Sequence, residues 1–306
     1  MSLAIKHRPR SLKTVIGNTE TVEALKQVLA KKKKDIPKSF LFIGPSGCGK
    51  TTLARIVAKE LGCNKADYYE LDTADFRGID TVRELRRQMQ FKPSSGSCRV
   101  WLLDECHKLT NDAQNALLKA LEDTPSHVYF LLATTDPQKL IKTIKTRCVS
   151  FSVETLSEKN LTKLTKRVLK REEKTVPTEV LSQISRDSLG SARMALNILD
   201  KIIDLDPKLM KKAAKQQAEE ESVAFNLCKM LIKGDWKGAK GVLKTLEDNP
   251  EGIRRMVYAF ASSSLMRDGG MRAWHIMDCF DEPFFDTGTA KQKLIKACFE
   301  ATNDVG

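Results

Sequence analysis

Gly44-Pro45-Ser46-Gly47-Cys48-Gly49-Lys50-Thr51 fits the pattern G-x-x-x-x-G-K-[ST] in full. Glycines at these positions let a backbone wrap closely around phosphate oxygens with its amides pointing inward. Lys50 is then placed to hold the β- and γ-phosphates of a nucleoside triphosphate. The Thr51 hydroxyl, with Thr52 beside it, is placed to ligate Mg²⁺. Val100-Trp101-Leu102-Leu103-Asp104-Glu105 supplies the complementary half. An apolar strand delivers two carboxylates at its C-terminal end, where ligands bind in sheets of this kind. Asp104 is expected to support the Mg²⁺ shell and Glu105 to polarise an attacking water. The two motifs together say nucleotide hydrolysis, without saying what it drives.

Both motifs need a parallel sheet to bring them together, and the first half of the chain reads as one. Ser39–Ile43 is a short apolar run ending in Gly-Pro, and a helix is predicted over 50–61. Further strands are predicted at Tyr68–Asp72, Val100–Leu103, Val128–Ala133 and 149–153. Helices are predicted over 20–33 and 79–90. Ala113, Ala116, Leu117, Ala120 and Leu121 fall on one face of another helix. Alternating strands and helices imply a parallel sheet covered on both faces. Beyond 153 the strand signal stops. Helices are predicted at 157–171, 177–189 and 191–204. Asp206-Pro207 marks a break, and five or six more helices follow, one around Trp236–Leu246 and one over 251–267. The expected architecture is an α/β domain over 1–152, a small helical domain over 153–205 and an all-helical domain over 206–306.

The 306 residues carry 52 Lys plus Arg against 39 Asp plus Glu, a net charge of +13. Such an excess suits a polyanion, because fixed cations beside phosphates release condensed counterions. A basic surface indifferent to nucleic acid gives the same count. Lys31–Lys34 reads either as a helix end complementing its dipole or as a phosphate contact. No apolar run approaches the roughly 20 residues a membrane span needs. The N-terminus has no apolar signal core, so an intracellular protein without a membrane is expected. The eight cysteines contain no C-x-x-C pair. Reduced, mostly buried thiols are the expectation.

Several further segments narrow the reading. Lys6-His7-Arg8-Pro9 with Val15-Ile16-Gly17 resembles the adenine-cupping segment of the sliding-clamp loader ATPases of the AAA+ class. Glu70-Leu71-Asp72 and Gly78-Ile79-Asp80-Thr81-Val82-Arg83-Glu84-Leu85 are similar to the segment between that family's two nucleotide motifs. Asp104-Glu105-Cys106-His107-Lys108-Leu109 and Asn115-Ala116-Leu117-Leu118-Lys119-Ala120-Leu121-Glu122 resemble its second motif and the following helix. Leu132-Ala133-Thr134-Thr135-Asp136-Pro137-Gln138-Lys139 resembles its sensor 1 strand. Gly190-Ser191-Ala192-Arg193-Met194-Ala195-Leu196 resembles sensor 2. The likeness is strongest to the bacterial gamma/tau subunits, with replication factor C small subunits next, and runs in motif order over residues 4–204.

The resemblance implies a AAA+ domain, a helical lid and a helical collar. It implies ATP and Mg²⁺ as ligands. Arg8, Pro9, Val15 and Ile16 then flank the adenine. Thr135 reads the γ-phosphate, and Arg193 links phosphate charge to lid angle. Thr146-Arg147-Cys148 stands where the family has Ser-Arg-Cys, so Arg147 is the expected finger into a neighbouring subunit's site. Gln114 matches a position that couples DNA contact to the catalytic carboxylate. Arg83, Arg86 and Arg87 recur at helical spacing and suit phosphates along one strand; a solvated basic face fits equally. Met89 and Phe91 stand where the family touches the clamp, and core packing is the other reading.

The implied partners are other loader subunits in a homo- or hetero-oligomeric pentamer, a sliding clamp and primer–template DNA. The family's zinc module has no counterpart here, because Cys63 and Cys98 are isolated, and no zinc is expected. No long tau-like tail follows, which fits a compact loader in a bacterial or virus-infected bacterial cell. A branch-migration helicase and a non-hydrolysing stator subunit stay open as alternatives. The segment order and the intact Lys50, Thr51, Asp104 and Glu105 weigh against them.

Overall fold

The computed structural model describes residues 1–221, 223–244, 250–284 and 289–303. The chain forms two compact units, Ile5–Leu156 and Ser157–Gly306, the latter with Met1–Ala4.

The first unit holds five parallel strands: β1 (Ser39–Ile43), β2 (Cys63–Asp72), β3 (Cys98–Asp104), β4 (Val128–Thr134) and β5 (Val149–Ser152). Their order is β2-β3-β4-β1-β5. β4 is buried along its whole length, and β3 along all but its last residue. That matches unbroken apolar runs covered on both faces. Side chains alternate across the pleat. Phe40, Phe42, Val100, Leu102, Tyr129 and Leu131 enter one core with Leu25, Leu53 and Val57. Leu41, Trp101, Leu103, Phe130 and Leu132 enter the other with Leu85, Leu117 and Ile144.

β2 begins at Cys63, ahead of the expected Tyr68. Its register shifts between Cys63 and Tyr68, and the exposed Asn64, Lys65 and Ala66 hide the strand from an apolar pattern. This extension makes Cys63 the register partner of Cys98, so the two cysteines are neighbours, not isolated. The thiol of Cys98 is held below its usual pKa, chiefly by a hydrogen bond from Cys63 and against the effect of burial, with Lys33 and Lys38 assisting. Helix Thr19–Leu29 ends before the lysine run, and Lys33 Nζ donates to Ser97 O at 2.9 Å. Helix Lys142–Arg147 was not expected from the pattern.

A buried carboxylate closes the loop ahead of β3. Asp67 is 0% exposed. It accepts from the amides of Ser94 (2.7 Å), Ser95 (3.0 Å) and Gly96 (3.1 Å). Arg99 stands 3.8 Å away. Burial alone pushes its pKa up, but the three amides and Arg99 prevail and hold it below the usual aspartate range.

Met89 is 1% exposed and packs in the second core, whereas Phe91 is 65% exposed. The expected clamp contact at Met89 is therefore corrected to core packing. The helix Ile79–Gln88 carries its apolar stripe one turn further into Met89, while Phe91 lies past the turn.

Every regular element among the second unit's described residues is a helix. Ser157 and Ser191 cap the helices Glu158–Glu172 and Ala192–Ile202 by accepting from Asn160 N and Met194 N. Helix Thr178–Asp187 lies between them in sequence, and Pro207–Glu221 packs on both Thr178–Asp187 and Ala192–Ile202. The helices Val223–Lys233, Trp236–Lys244, Pro250–Asp268, Met271–Cys279 and Ala290–Asn303 follow. Leu227, Leu231, Ile253, Val257, Ile276, Phe280 and Leu294 form their core. The division of this unit into a lid to 205 and a collar beyond stands as a proposal.

Two outcomes follow. Asp67→Asn leaves Arg99 buried without its counter-charge and costs about 3–5 kcal/mol at pH 7. Because the folded pKa of Asp67 is depressed, its stabilisation is fully present above about pH 3.9 and is lost as pH falls through the folded value. The gap between variant and wild type, followed by thermal unfolding at a series of pH values, therefore closes on the acid side. Met89→Ala costs about 2–5 kcal/mol by denaturant titration, and Phe91→Ala stays within about 0.5 kcal/mol.

Candidate nucleotide site

Parallel pairing gathers the candidate residues at one edge of the sheet. Ile43 stands opposite Thr134, and Leu103 opposite Leu132. The residues that leave the C-terminal ends of β1, β3 and β4 are consequently Gly44, Asp104–Glu105 and Thr135.

The loop after β1 is locked from both sides. Gly44 N donates to Thr134 O at 3.2 Å, and Val153 N donates to Ile43 O at 2.7 Å. A Cβ on Gly44 would lie 2.0 Å from Val153 O, so only glycine fits there. Gly47 and Gly49 take φ of 72° and 112°, which bends the chain into the helix Lys50–Glu60. Cys48 is buried, with its thiol donating to Pro45 O at 2.9 Å. Lys50 is 5% exposed, and its Nζ donates to Gly44 O and Pro45 O, each at 2.9 Å. The ammonium is thus held across the concave side of the loop, at the start of a helix, where phosphate oxygens are best met. Ser46 is exposed at the tip; Thr52 is half-buried in the first turn of that helix.

Thr51 Oγ1 donates to Asp104 Oδ2 at 2.7 Å. Burial raises the pKa of Asp104, and the charge of Glu105 adds to this against the Thr51 hydrogen bond. A hydroxyl and a carboxylate side by side are hard oxygen donors of the kind Mg²⁺ takes, and a divalent cation would offset the cost of that buried charge. The set therefore fits Mg²⁺.

Glu105 adopts φ of 51°, unusual for a residue with a side chain. Its amide donates to Asp104 Oδ1 at 3.0 Å, and its carbonyl accepts from Thr73 Oγ1 at 2.6 Å. Thr73 also donates to Asp104 O through both its amide and its hydroxyl, at 3.0 Å each. Thr73 lies just beyond β2, so β2 braces the turn that aims the two carboxylates. Thr135 Oγ1 donates to Glu105 Oε2 at 3.0 Å. His107 Nδ1 lies 3.0 Å from Thr134 Oγ1 and 3.4 Å from Glu105 Oε2. Burial lowers the His107 pKa more than Glu105 raises it, so the imidazole is neutral near pH 7. Thr73 carried no recognised signal beforehand, and His107 stood within the Asp104–Leu109 segment without a role of its own; the fold brings Thr73 to Asp104 and Glu105, and His107 to Thr134.

The N-terminal segment reaches the same region. Asn18 forms a reciprocal pair with Glu154, donating to Glu154 O at 3.0 Å and accepting from Glu154 N at 2.6 Å. This ties the segment to the exit of β5, whose Val153 presses on Gly44. Val15 packs against the core that includes Leu53 and Cys48, Ile16 is buried, and Arg8 and Pro9 are half-buried.

Other expected residues lie apart from this cluster. Gln114 is 1% exposed. Its amide donates to Leu109 O (3.2 Å) and Lys139 O (3.1 Å) and accepts from Ile141 N (2.9 Å). Buried in this way, Gln114 presents no surface for direct DNA contact, and all three bonds tie the turn after Glu105 to the loop after Thr135. Arg83 and Arg87 are exposed and pair with Asp80 (3.0 Å) and Glu84 (3.3 Å). Arg86 is half-buried. Arg147 is exposed and pairs with Glu122. Arg193 is exposed at the start of the helix Ala192–Ile202 in the helical unit.

Lys50→Ala removes binding of a fluorescent ATP analogue, measured by anisotropy, because the ammonium held across the loop is lost. Glu105→Gln keeps that binding within about threefold and lowers single-turnover hydrolysis by about 10²-fold or more. Thr135→Val falls between the two in hydrolysis, with binding retained.

Comparison with known proteins places this geometry in a family. A profile described as DNA polymerase III, delta subunit, matches residues 69–157. The DNA polymerase III subunit gamma of Buchnera aphidicola subsp. Schizaphis graminum is 34% identical over 259 residues, covering 77% of this chain and 71% of that protein. The subunit tau of Escherichia coli is 35% identical over 222 residues, covering 66% of this chain and 34% of that protein. The chain therefore matches about a third of the length of such tau relatives. Among solved structures, the Thermotoga maritima RuvB Holliday junction branch migration motor superposes with a TM-score of 0.65 at 19% identity, over 84% of this chain and 91% of that one. That likeness establishes the α/β AAA+ fold. The identity shared with gamma, over most of both chains, carries the rest: the chain belongs to the DNA polymerase III gamma/tau family of AAA+ clamp-loader ATPases.

Proposed function

We propose that this chain is an ATP-hydrolysing subunit that opens a ring-shaped sliding clamp and loads it onto primer–template DNA. The observation that carries this is the assembly of Lys50, Thr51, Asp104, Glu105 and Thr135 at one sheet edge, together with an arginine, Arg147, exposed on the same unit. Bound ATP supplies the bond that is broken, and Mg²⁺ neutralises charge on its phosphate oxygens.

Lys50 and the amides of Gly44–Thr51 bind and orient the triphosphate. Arg8, Pro9, Val15 and Ile16 flank the base. Glu105 polarises the attacking water, and Thr135 sets the direction of the Glu105 carboxylate. Arg147 acts on a neighbouring subunit's site, where a guanidinium offsets charge developing on the transferred phosphoryl group. Arg193 links the γ-phosphate to the angle of the lid, residues 153–205.

The trans arginine makes assembly part of catalysis, and the collar, 206–306, joins the subunits, most simply into a pentamer. Arg83, Arg86 and Arg87 take phosphates along one DNA strand without reading sequence. Gln114, which ties the turn after Glu105 to the loop after Thr135, carries the effect of DNA to the carboxylate. Phe91 is the apolar contact left for the clamp. Subunits engaged with ATP hold the ring open; DNA aligns the catalytic groups; hydrolysis releases the ring around DNA. A bacterial or virus-infected bacterial cytoplasm is the setting that the gamma relatives support, and no described helix is long and apolar enough to cross a membrane.

A DNA motor shares the fold, but the gamma relatives and the segment order favour the loader. A non-hydrolysing stator is disfavoured by the complete set of Lys50, Thr51, Asp104 and Glu105. Steady-state ATPase of the chain, with loader partners, primer–template DNA and clamp added stepwise, separates them. Stimulation that needs both DNA and clamp, and is lost in Arg147→Ala and Glu105→Gln, is the expected result. Stimulation by DNA alone, indifferent to the clamp, identifies a motor. Tight nucleotide binding without turnover identifies a stator.

A further inference from the structure

We propose that Glu122 is the positioning residue that presents Arg147 to the neighbouring subunit. The proposal rests on the reading of Arg147 as a finger acting in trans. Glu122 ends the helix Asn111–Glu122, and Arg147 ends the short helix Lys142–Arg147. The Arg147 side chain is gripped at two points. Its NH1 donates to Thr143 O at 3.1 Å, one turn back in its own helix, and its NH2 donates to the Glu122 carboxylate.

A guanidinium is planar, so one carbonyl and one carboxylate suffice to set both its position and the direction of its plane. The side chain stays 36% exposed and that of Glu122 48% exposed. Of the five N–H donors of the fork, this arrangement draws on two and leaves the side chain open to solvent.

Three physical points favour positioning over a bland surface pair. An arginine that works on another subunit has no site of its own to order it, and a long side chain loses much rotamer freedom when it docks. Fixing it beforehand removes that loss from the catalytic step. The pair is also exposed, and exposed pairs are weak. It can orient Arg147 without withholding it from a triphosphate, which carries more charge than a carboxylate. Finally, Lys142 and Lys145 share the short helix with Arg147. In that basic stretch, Glu122 supplies a carboxylate partner for the guanidinium from the end of the helix Asn111–Glu122. The residue has no contact with the Lys50–Asp104–Glu105 cluster of its own chain among the described hydrogen bonds and ion pairs. Its effect must therefore pass through Arg147.

The test is the stimulated ATPase of the assembled loader, with clamp and primer–template DNA present. Five chains are compared: wild type, Glu122→Ala, Glu122→Gln, Arg147→Ala and the Glu122→Ala, Arg147→Ala double variant. Glu122→Ala is expected to lower kcat by about tenfold, with KM for ATP within about twofold, as for a displaced catalytic group. Glu122→Gln, which keeps an acceptor for NH2, is expected to recover most of that loss. The double variant is expected to match Arg147→Ala alone, since Glu122 has nothing left to position. Thermal midpoint and sedimentation of the assembled complex are expected to be unchanged in every variant. The proposal is overturned if Glu122→Ala has wild-type kcat while Arg147→Ala is inactive. It is equally overturned if the double variant loses activity additively, or if Glu122→Ala prevents assembly. If Arg147→Ala itself keeps wild-type kcat, the finger reading fails, and the role given to Glu122 fails with it.

Discussion

The pairing of β4 between β1 and β3 is the constraint on which the site depends. Its register puts Thr134 opposite Ile43 and Leu132 opposite Leu103. A slip of one residue would turn every side chain of β4 to the other face. It would also part Thr135 from Glu105 and take Thr134 away from Gly44. Both faces of β4 are fully buried, so the two cores together hold this register. The geometry of the candidate nucleotide site is a by-product of apolar burial on both sides of one central strand.

At the edge of that sheet the backbone is forced into conformations that side chains resist. Gly44 is demanded by the approach of Val153, Gly47 and Gly49 by positive φ, and Glu105 accepts positive φ although it is not glycine. The turn at Glu105 is sustained by hydrogen bonds from outside it. Thr73 grips the carbonyls of Asp104 and Glu105, and Thr135 grips the carboxylate. Gln114 then fastens the turn after Glu105 to the loop that follows Thr135. A conformation held by several distant elements can be aimed, and can be re-aimed when one of them moves.

The surface is organised differently. Arg83, Arg87 and Arg147 are all exposed and each pairs with a nearby carboxylate. Such pairs contribute roughly 0–1 kcal/mol and are easily exchanged for a stronger anion. The buried Asp67–Arg99 pair has the opposite character, being enclosed and tied to three amides. The charge pair that closes the loop ahead of β3 is thus buried, while the three surface arginines are left loosely paired.

The amino-acid sequence alone determined the P-loop, the apolar strands and most helices, because each is written in contiguous residues. Gly44–Thr51 needs no distant partner to be recognised, and β1, β3 and β4 each carry a contiguous apolar run, Phe40–Ile43, Val100–Leu103 and Val128–Ala133. The positions of Asp104, Glu105, Thr135 and Arg147 were legible for the same reason, as short segments in a familiar order. What those side chains touch was not legible. Period alone could not say that the stripe of Ile79–Gln88 continues into Met89, nor that Gln114 faces inward. The polar start of β2 concealed the neighbours Cys63 and Cys98. Asp67 with the 94–96 amides, Thr73 with Asp104, His107 with Thr134 and Glu122 with Arg147 were decided only by the tertiary structure. Each joins residues that the chain separates and the register or helix packing brings together, and no local pattern encodes such a meeting.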